Sequence, residues 1–413
     1  MAFHRVRVHA DEPALPDVGA TTDDALARCG ARFGPGDEVA IAVGSRGLHD
    51  LGLVVGRVVA WVREQGATPF LVPAMGSHGG ATAAGQQAVL ESYGLDAEHV
   101  GCPIRATMDV VALPQGECPV PVVTDAVAAG ATATIVVNRV KPHTDFHGPY
   151  ESGLMKMVAI GLGKRVQAEV LHAHGTRGLR DLMPLVARQV LAHGNVVLGI
   201  AIVENGRERT MAVEAVPAAA ISDAEPALLA LAAAHLARLP VDTLDVLLVD
   251  RMGKEISGVG MDTNVIGRTM IAGEPEPPSP RIAMIACHDL TPASHGNATG
   301  MGLADVVTRR FAAAVDHDVT RTNVVTSGFL LRGKLPVVAD DDRQAWQLCL
   351  RGAGVVDTAG VRAARIVDTL RCRDLWVTDA VLADLAGDPA VAVLARGLAL
   401  HQPDGRLTPF DGT

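Results

Sequence analysis

Short runs of β-branched residues alternate along this chain with Ala- and Leu-rich stretches of helical period, and that alternation restricts the fold to layered α/β architecture. EVAIAVG, Glu38 to Gly44, is a buried strand in this pattern, followed by SRG and a helix over Asp50 to Gln65. TPFLVP, Thr68 to Pro73, repeats the design, with the loop AMGSHGGAT leading into a helix near Ala83 to Tyr93. A third strand, TATIVVNRV from Thr132 to Val140, empties into KPHTDFHG. Arg46, His78 and His143 therefore each stand just past the end of a strand, where open α/β sheets bind ligands. Three independent placements of this kind point to one shared pocket.

At 413 residues with 48% hydrophobic side chains, the chain is long enough for two cores, since single domains usually run about 100–200 residues. ALLALAAAHLARL is an amphipathic helix ending at Leu239-Pro240, and LDVLLVD, Leu244 to Asp250, starts a new strand. Two α/β domains are expected, residues 1–240 and 241–413, with an active-site cleft between them and the last helix free to pack back on the first domain. The second half continues through GEPEPPSPR, a Pro-rich exposed connection, to the strand RIAMIAC, Arg281 to Cys287.

A formal net charge of −10 with no long Lys/Arg block argues against nucleic acid or an anionic membrane as the main partner. The start, MAFHRVRVHADEPALPD, lacks the apolar core of a signal peptide, and no later apolar run reaches the roughly 18 residues of a membrane span. The expectation is a cytoplasmic protein acting on small molecules, with an oligomer allowed. Six scattered cysteines without a CxxC pair read as reduced core residues.

The densest chemistry lies in VKPHTDFHGPYESGLMKMVAIGLGKRVQAEVLHAHG, which carries His143, His147, His172 and His174. Histidine supplies metal ligands or proton-transfer groups near neutral pH. Lys156 stands between the pairs in a run apolar enough to be core. A lysine there must snorkel, find a carboxylate or ligand, or carry a covalent bond. The plainer reading is a solvated loop with a snorkelling lysine and a histidine-tipped helix. That helix is expected from Lys164 to His174, closed by Gly175. Gly161 and Gly163 at its entrance either let backbone N–H groups approach an anion such as a phosphate or mark an ordinary helix start. In the second domain Lys254, Glu255, Asp262, Thr263 and Asn264 follow a strand end, where they reach the cleft or serve as turn and cap residues.

The loop AMGSHGGAT, the stretch VKPH…SGLMKMVAIGLG…H and, less closely, GKEISGVGMDTN resemble the nickel-dependent lactate racemase family of 2-hydroxyacid racemases and epimerases. The resemblance spans most of the chain. In that family a lysine carries a covalently attached nickel-pincer nucleotide, a pyridinium mononucleotide whose two sulfurs and one carbon bind nickel, and a downstream histidine completes the square-planar set. The matching residues are Lys156 and His172, with the family's spacing kept, and Gly161 and Gly163 are assigned to the cofactor with them. The two acid–base histidines map to His78 and His143, with His147 a competitor because the loop before the lysine is a few residues longer here. The family's Asp-x-x-Arg pattern is reduced to GSR, leaving Arg46 to hold the substrate carboxylate or the cofactor phosphate. VGMDTN replaces the Tyr-Gln-x-x-Lys substrate motif, so Lys254 and Asn264 are the substrate candidates there, and a substrate other than lactate is implied.

The resemblance implies an isomerase that inverts a 2-hydroxy acid by hydride transfer, served by cofactor-maturation enzymes. A proton α to a carboxylate is too weakly acidic for a histidine of pKa near 6.5 to remove readily, and hydride transfer avoids that carbanion. Two other classes remain open from the residues alone. One is a zinc or iron hydrolase or lyase built on His143, His147 and His172 with Asp145. The other is a non-catalytic nucleotide- or metal-binding protein.

Overall fold

A computed structural model of the protein describes residues 1–10, 12–45 and 47–410. It is an α/β protein of two compact units, one spanning Glu12–Leu236 and the other combining Met1–Asp11 with Ala237–Thr413. The N-terminal segment, expected with the first domain, instead contributes β1 (Phe3–Val8) to the sheet of the C-terminal unit. Its partners lie more than 360 residues downstream, so no local pattern reveals the pairing.

In the unit Glu12–Leu236 the strands are β2 (Glu38–Val43), β3 (Thr68–Pro73), β4 (Val110–Ala112), β5 (Val123–Asp125), β6 (Ala133–Arg139), β7 (Val196–Glu204) and β8 (Thr210–Pro217). β4 and β5 form a separate antiparallel ribbon. The main sheet has the order β3-β2-β6-β7-β8, parallel except for β8. Parallel strands are covered on both faces and so read as continuous apolar runs, which is why Val39 to Val43 are all buried. On one face Val39, Ile41 and Val43 meet Leu51, Val54, Val55, Val58 and Val62 of the helix Leu51–Glu64, a stripe at helical spacing. On the other, Ala40, Ala42 and Val136 meet Leu154, Met155 and Val158. The Lys156 segment is thus one covering layer of the sheet.

The other unit is built on β9 (Thr243–Met252), β10 (Arg281–Leu290), β11 (Val306–Thr308), β12 (Val337–Ala339), β13 (Ala363–Ile366), β14 (Asp374–Thr378) and β15 (Val391–Leu398). Its eight-stranded sheet runs β12-β11-β10-β9-β13-β14-β1-β15. The first five are parallel, whereas β1 is antiparallel to both β14 and β15. The last helix, Asp379–Asp384, packs on β14 and β1 of its own unit. All six cysteines are free and buried. Among the described residues no helix is long and apolar enough to cross a membrane.

Candidate functional site

Because β3, β2 and β6 are parallel neighbours, their carboxyl ends open on one edge, and the loops leaving them carry His78, Ser45 and His143. Arg46 lies outside the described residues. Ser45 Oγ is 2.5 Å from His78 Nδ1, and Tyr93 donates its hydroxyl hydrogen to the Ser45 carbonyl at 2.6 Å. Sequence reasoning missed Ser45. The available signal is its place in GSR, beside Arg46 at the strand end.

The loop after β6 folds around one buried carboxylate. Glu151 Oε2 accepts the His143 N–H at 2.5 Å and Glu151 Oε1 accepts the Gly148 N–H at 3.1 Å, while the His147 Nδ1 approaches the same group at 3.2 Å. Asn138, near the end of β6, donates to the Gly153 carbonyl at 2.9 Å. His143 is thereby pinned through its backbone and stacked against Phe146, ring centroids 4.6 Å apart. Its side chain is 12% exposed, against 52% for His147, so His143 faces inward and His147 outward.

His143 Nε2 lies 2.6 Å from Lys156 Nζ, and the His143 Nδ1 accepts the Asp145 N–H at 3.0 Å. A neutral imidazole has one acceptor and one donor nitrogen. With Nδ1 accepting, the ring proton belongs on Nε2, and the partner at 2.6 Å must offer a lone pair. The two contacts together suit an uncharged Lys156 amine. That form is nucleophilic and can be acylated. The half-buried Lys156 begins a wide π-helical turn, Met157–Gly161, which joins its segment to the helix Lys164–His172.

That helix ends at His172, and Gly175 follows in the left-handed region at φ 58°. Burial holds the His172 imidazole below its ordinary pKa, and the positive charge of a protonated Lys156 acts in the same direction, while Asp145 opposes both. Burial is the largest cause, so His172 stays neutral even where Lys156 is uncharged, with a lone pair available to a metal. His174 is exposed and begins the next turn.

Gly161 and Gly163 are needed for close packing. A Cβ on Gly161 would lie 2.7 Å from the Ala74 carbonyl oxygen, and one on Gly163 would lie 2.3 Å from Gln167 Cβ. Lys254 and Asn264 belong to the other unit. Lys254 Nζ donates to the Gly258 carbonyl at 2.5 Å and to Asn323 Oδ1 at 2.8 Å. Asn264 donates its backbone and side-chain N–H to Asp262 Oδ1, both at 3.0 Å, a turn-capping arrangement.

Among the described residues no group of three or more His, Cys, Asp or Glu side chains is arranged to hold a metal ion. The alternative zinc or iron site of His143, His147 and His172 with Asp145 is not assembled in this arrangement. His147 turns to Glu151 and His143 to Lys156, which leaves His172 alone. A single neutral histidine beside an acylable lysine instead fits a lysine-tethered group that brings most of its own metal donors.

No protein-family model matches this sequence, and neither does any curated protein. Among solved structures, the chain is similar to the lactate racemase apoprotein from Thermoanaerobacterium thermosaccharolyticum, with 11% identity, 86% of this chain and 96% of that one covered, and a TM-score of 0.48. A protein from Thermotoga maritima is similar at 14% identity over 68% of this chain and 72% of that one, with a TM-score of 0.47. Likeness at scores this low carries no functional weight.

Proposed function

We propose that this chain is an isomerase, a racemase or epimerase of a 2-hydroxy acid, that works with a nickel-pincer nucleotide attached to Lys156. The observation that carries the reading is the 2.6 Å contact between Lys156 Nζ and His143 Nε2, which joins an acylable amine to an acid–base imidazole. The motif resemblance at AMGSHGGAT and VKPH…SGLMKM…H supports it. In this reading Lys156 tethers the cofactor and His172 donates its neutral imidazole to the nickel. When bound, the cofactor supplies a hydride acceptor.

The chain's own residues handle protons and orientation. His78, with Nδ1 against the Ser45 hydroxyl, presents Nε2 as one working nitrogen. His143 serves as the second once attachment of the cofactor releases its Nε2 from the Lys156 amine and its ring proton moves to Nδ1, 3.7 Å from the Asp145 carboxylate. One takes the proton of the substrate hydroxyl while the C2 hydrogen would leave as hydride, and once the resulting 2-keto acid has turned over, hydride would return to the opposite face of C2 as the other histidine protonates the oxygen. The inward-facing His143 is preferred over His147 for the second role. Arg46 is assigned the substrate carboxylate by its guanidinium chemistry. The partners are a small 2-hydroxy acid and the enzymes that make the cofactor.

The test is intact mass and metal analysis of protein produced together with the cofactor-maturation enzymes. The expected result is a mass increment of a modified nicotinic mononucleotide on the peptide containing Lys156, stoichiometric nickel, and loss of both in Lys156→Ala. Fully active enzyme with an unmodified Lys156 overturns the reading.

A further inference from the structure

The lysine that the fold buries completely is Lys164, which takes no part in the proposed reaction. It starts the helix Lys164–His172 with φ 54°, a backbone state that a residue with a Cβ adopts only when its surroundings impose it. Its ammonium has three donors and meets three acceptors. These are Asp125 Oδ2 at 2.8 Å, Gln86 Oε1 at 3.2 Å and the Pro73 carbonyl. Asp125 is itself fixed at the end of β5, where Oδ1 accepts the Ala128 N–H at 2.8 Å. All three side chains, Lys164, Asp125 and Gln86, are fully buried.

Gln86 directs its other end to the loop after β3. Its Nε2 donates to the Gly76 carbonyl at 2.8 Å and to the His78 carbonyl at 3.2 Å. Because Oε1 faces an ammonium, the amide orientation is determined, and both of its N–H groups point at the loop. Three carbonyls, those of Pro73, Gly76 and His78, are therefore gripped by one buried ammonium and one buried amide. A loop needing only to be closed does not require a buried charge, which costs desolvation unless fully paired.

We propose that Gln86, anchored by the Lys164–Asp125 pair, is a positioning residue that sets the His78 ring against Ser45 and so keeps Nδ1 hydrogen-bonded to the Ser45 hydroxyl. The inference rests on the reading of His78 as an acid–base group. Gln86→Glu still offers Lys164 an acceptor but removes both N–H donors to the loop, and Gln86→Asn, which withdraws the amide by one methylene, serves if Glu is not tolerated. The measurement is the ¹⁵N shifts of the His78 ring in histidine-labelled protein without substrate or cofactor. His78→Asn identifies the signals, Ser45→Ala shows the ring without its Ser45 partner, and His288 of the other unit is the internal reference. Wild type is expected to show a His78 Nδ1 shift displaced by the Ser45 hydroxyl hydrogen bond, and the Gln86 variants are expected to move it to the Ser45→Ala value, with the His288 signals unmoved. A wild-type His78 pattern in folded Gln86 variants overturns the proposal. Inactivity towards every 2-hydroxy acid would sink the racemase reading and leave this result standing, since neither substrate nor cofactor enters it.

Discussion

Glu225 Oε2 accepts the backbone N–H of Met155 at 2.7 Å, one residue before Lys156, so a buried carboxylate caps the segment that presents the lysine. Burial pushes the Glu225 carboxyl up from 4.5 to about 7, against the opposing pull of the Met155 and Leu154 N–H groups. A carboxyl whose folded pKa lies above its unfolded value contributes most below about 4.5, and that contribution is lost as pH rises through about 7. That rise from 4.5 to about 7 corresponds to on the order of 3 kcal/mol. Urea unfolding of wild type and Glu225→Gln at pH 4.5 and 8 should show this pH dependence in wild type and its loss in the variant. Equal pH dependence in the two proteins would show that Glu225 does not titrate there.

Roles separate at the two histidines. His172→Ala should lower nickel occupancy in protein made with the maturation enzymes, because it removes a neutral imidazole donor. His78→Ala should keep both nickel and the Lys156 adduct yet reduce turnover in both directions by about 10²–10⁴-fold, the usual effect of a positioned acid–base group. Normal nickel in His172→Ala, or full activity in His78→Ala, would reassign them.

Solvent isotope distinguishes hydride transfer from two-base proton transfer. A hydrogen abstracted as a proton by His78 or His143 would exchange with D₂O, whereas one moved as hydride would not. Inversion in D₂O should therefore place almost no deuterium at C2, and deuterium already at C2 should slow the reaction. Stoichiometric solvent deuterium in the product would return both histidines to the role of conventional carbon bases.

A stability effect confined to the other unit is expected at Asp342. Its carboxylate binds His288 Nδ1 at 2.9 Å, Arg310 Nη1 at 2.8 Å and the Leu407 N–H at 2.8 Å. Burial alone would raise its pKa, but these partners together hold it well below the usual carboxylate range. The resulting stabilisation is present above its unfolded value and is lost as pH falls into the acid range. Asp342→Ala should cost about 3–5 kcal/mol, the usual effect of stranding a buried partner. Hydrogen exchange at neutral pH should show the loss in β10 and β11, and unchanged protection there would refute it.

The α/β pattern and the strand ends that carry His78 and His143 were legible because each is written in a few consecutive residues. β3 runs over the same residues, Thr68–Pro73, as the apolar run that announced it. What escaped was long-range. Glu225, Gln86 and Asp125 hold the site through partners 70, 78 and 39 positions away, and no local window contains both ends. The two lysines show the limit most clearly. Apolar neighbours drew attention to Lys156, which is half-buried, whereas Lys164, in an ordinary-looking GLGK, is the fully enclosed one. Helical geometry turns successive residues to different sides, so a neighbour's hydrophobicity does not fix a side chain's own burial.

The placement of β1 also orders the protein's assembly in time. This strand is synthesised more than 360 residues before β14 and β15, with which it pairs. Contacts so distant in sequence form slowly because a long loop must close first. The segment Glu12–Leu236 has all its own strands in hand much earlier. The larger unit is thus a guest that can be finished before its host, and the host sheet closes only when β1 meets β14 and β15.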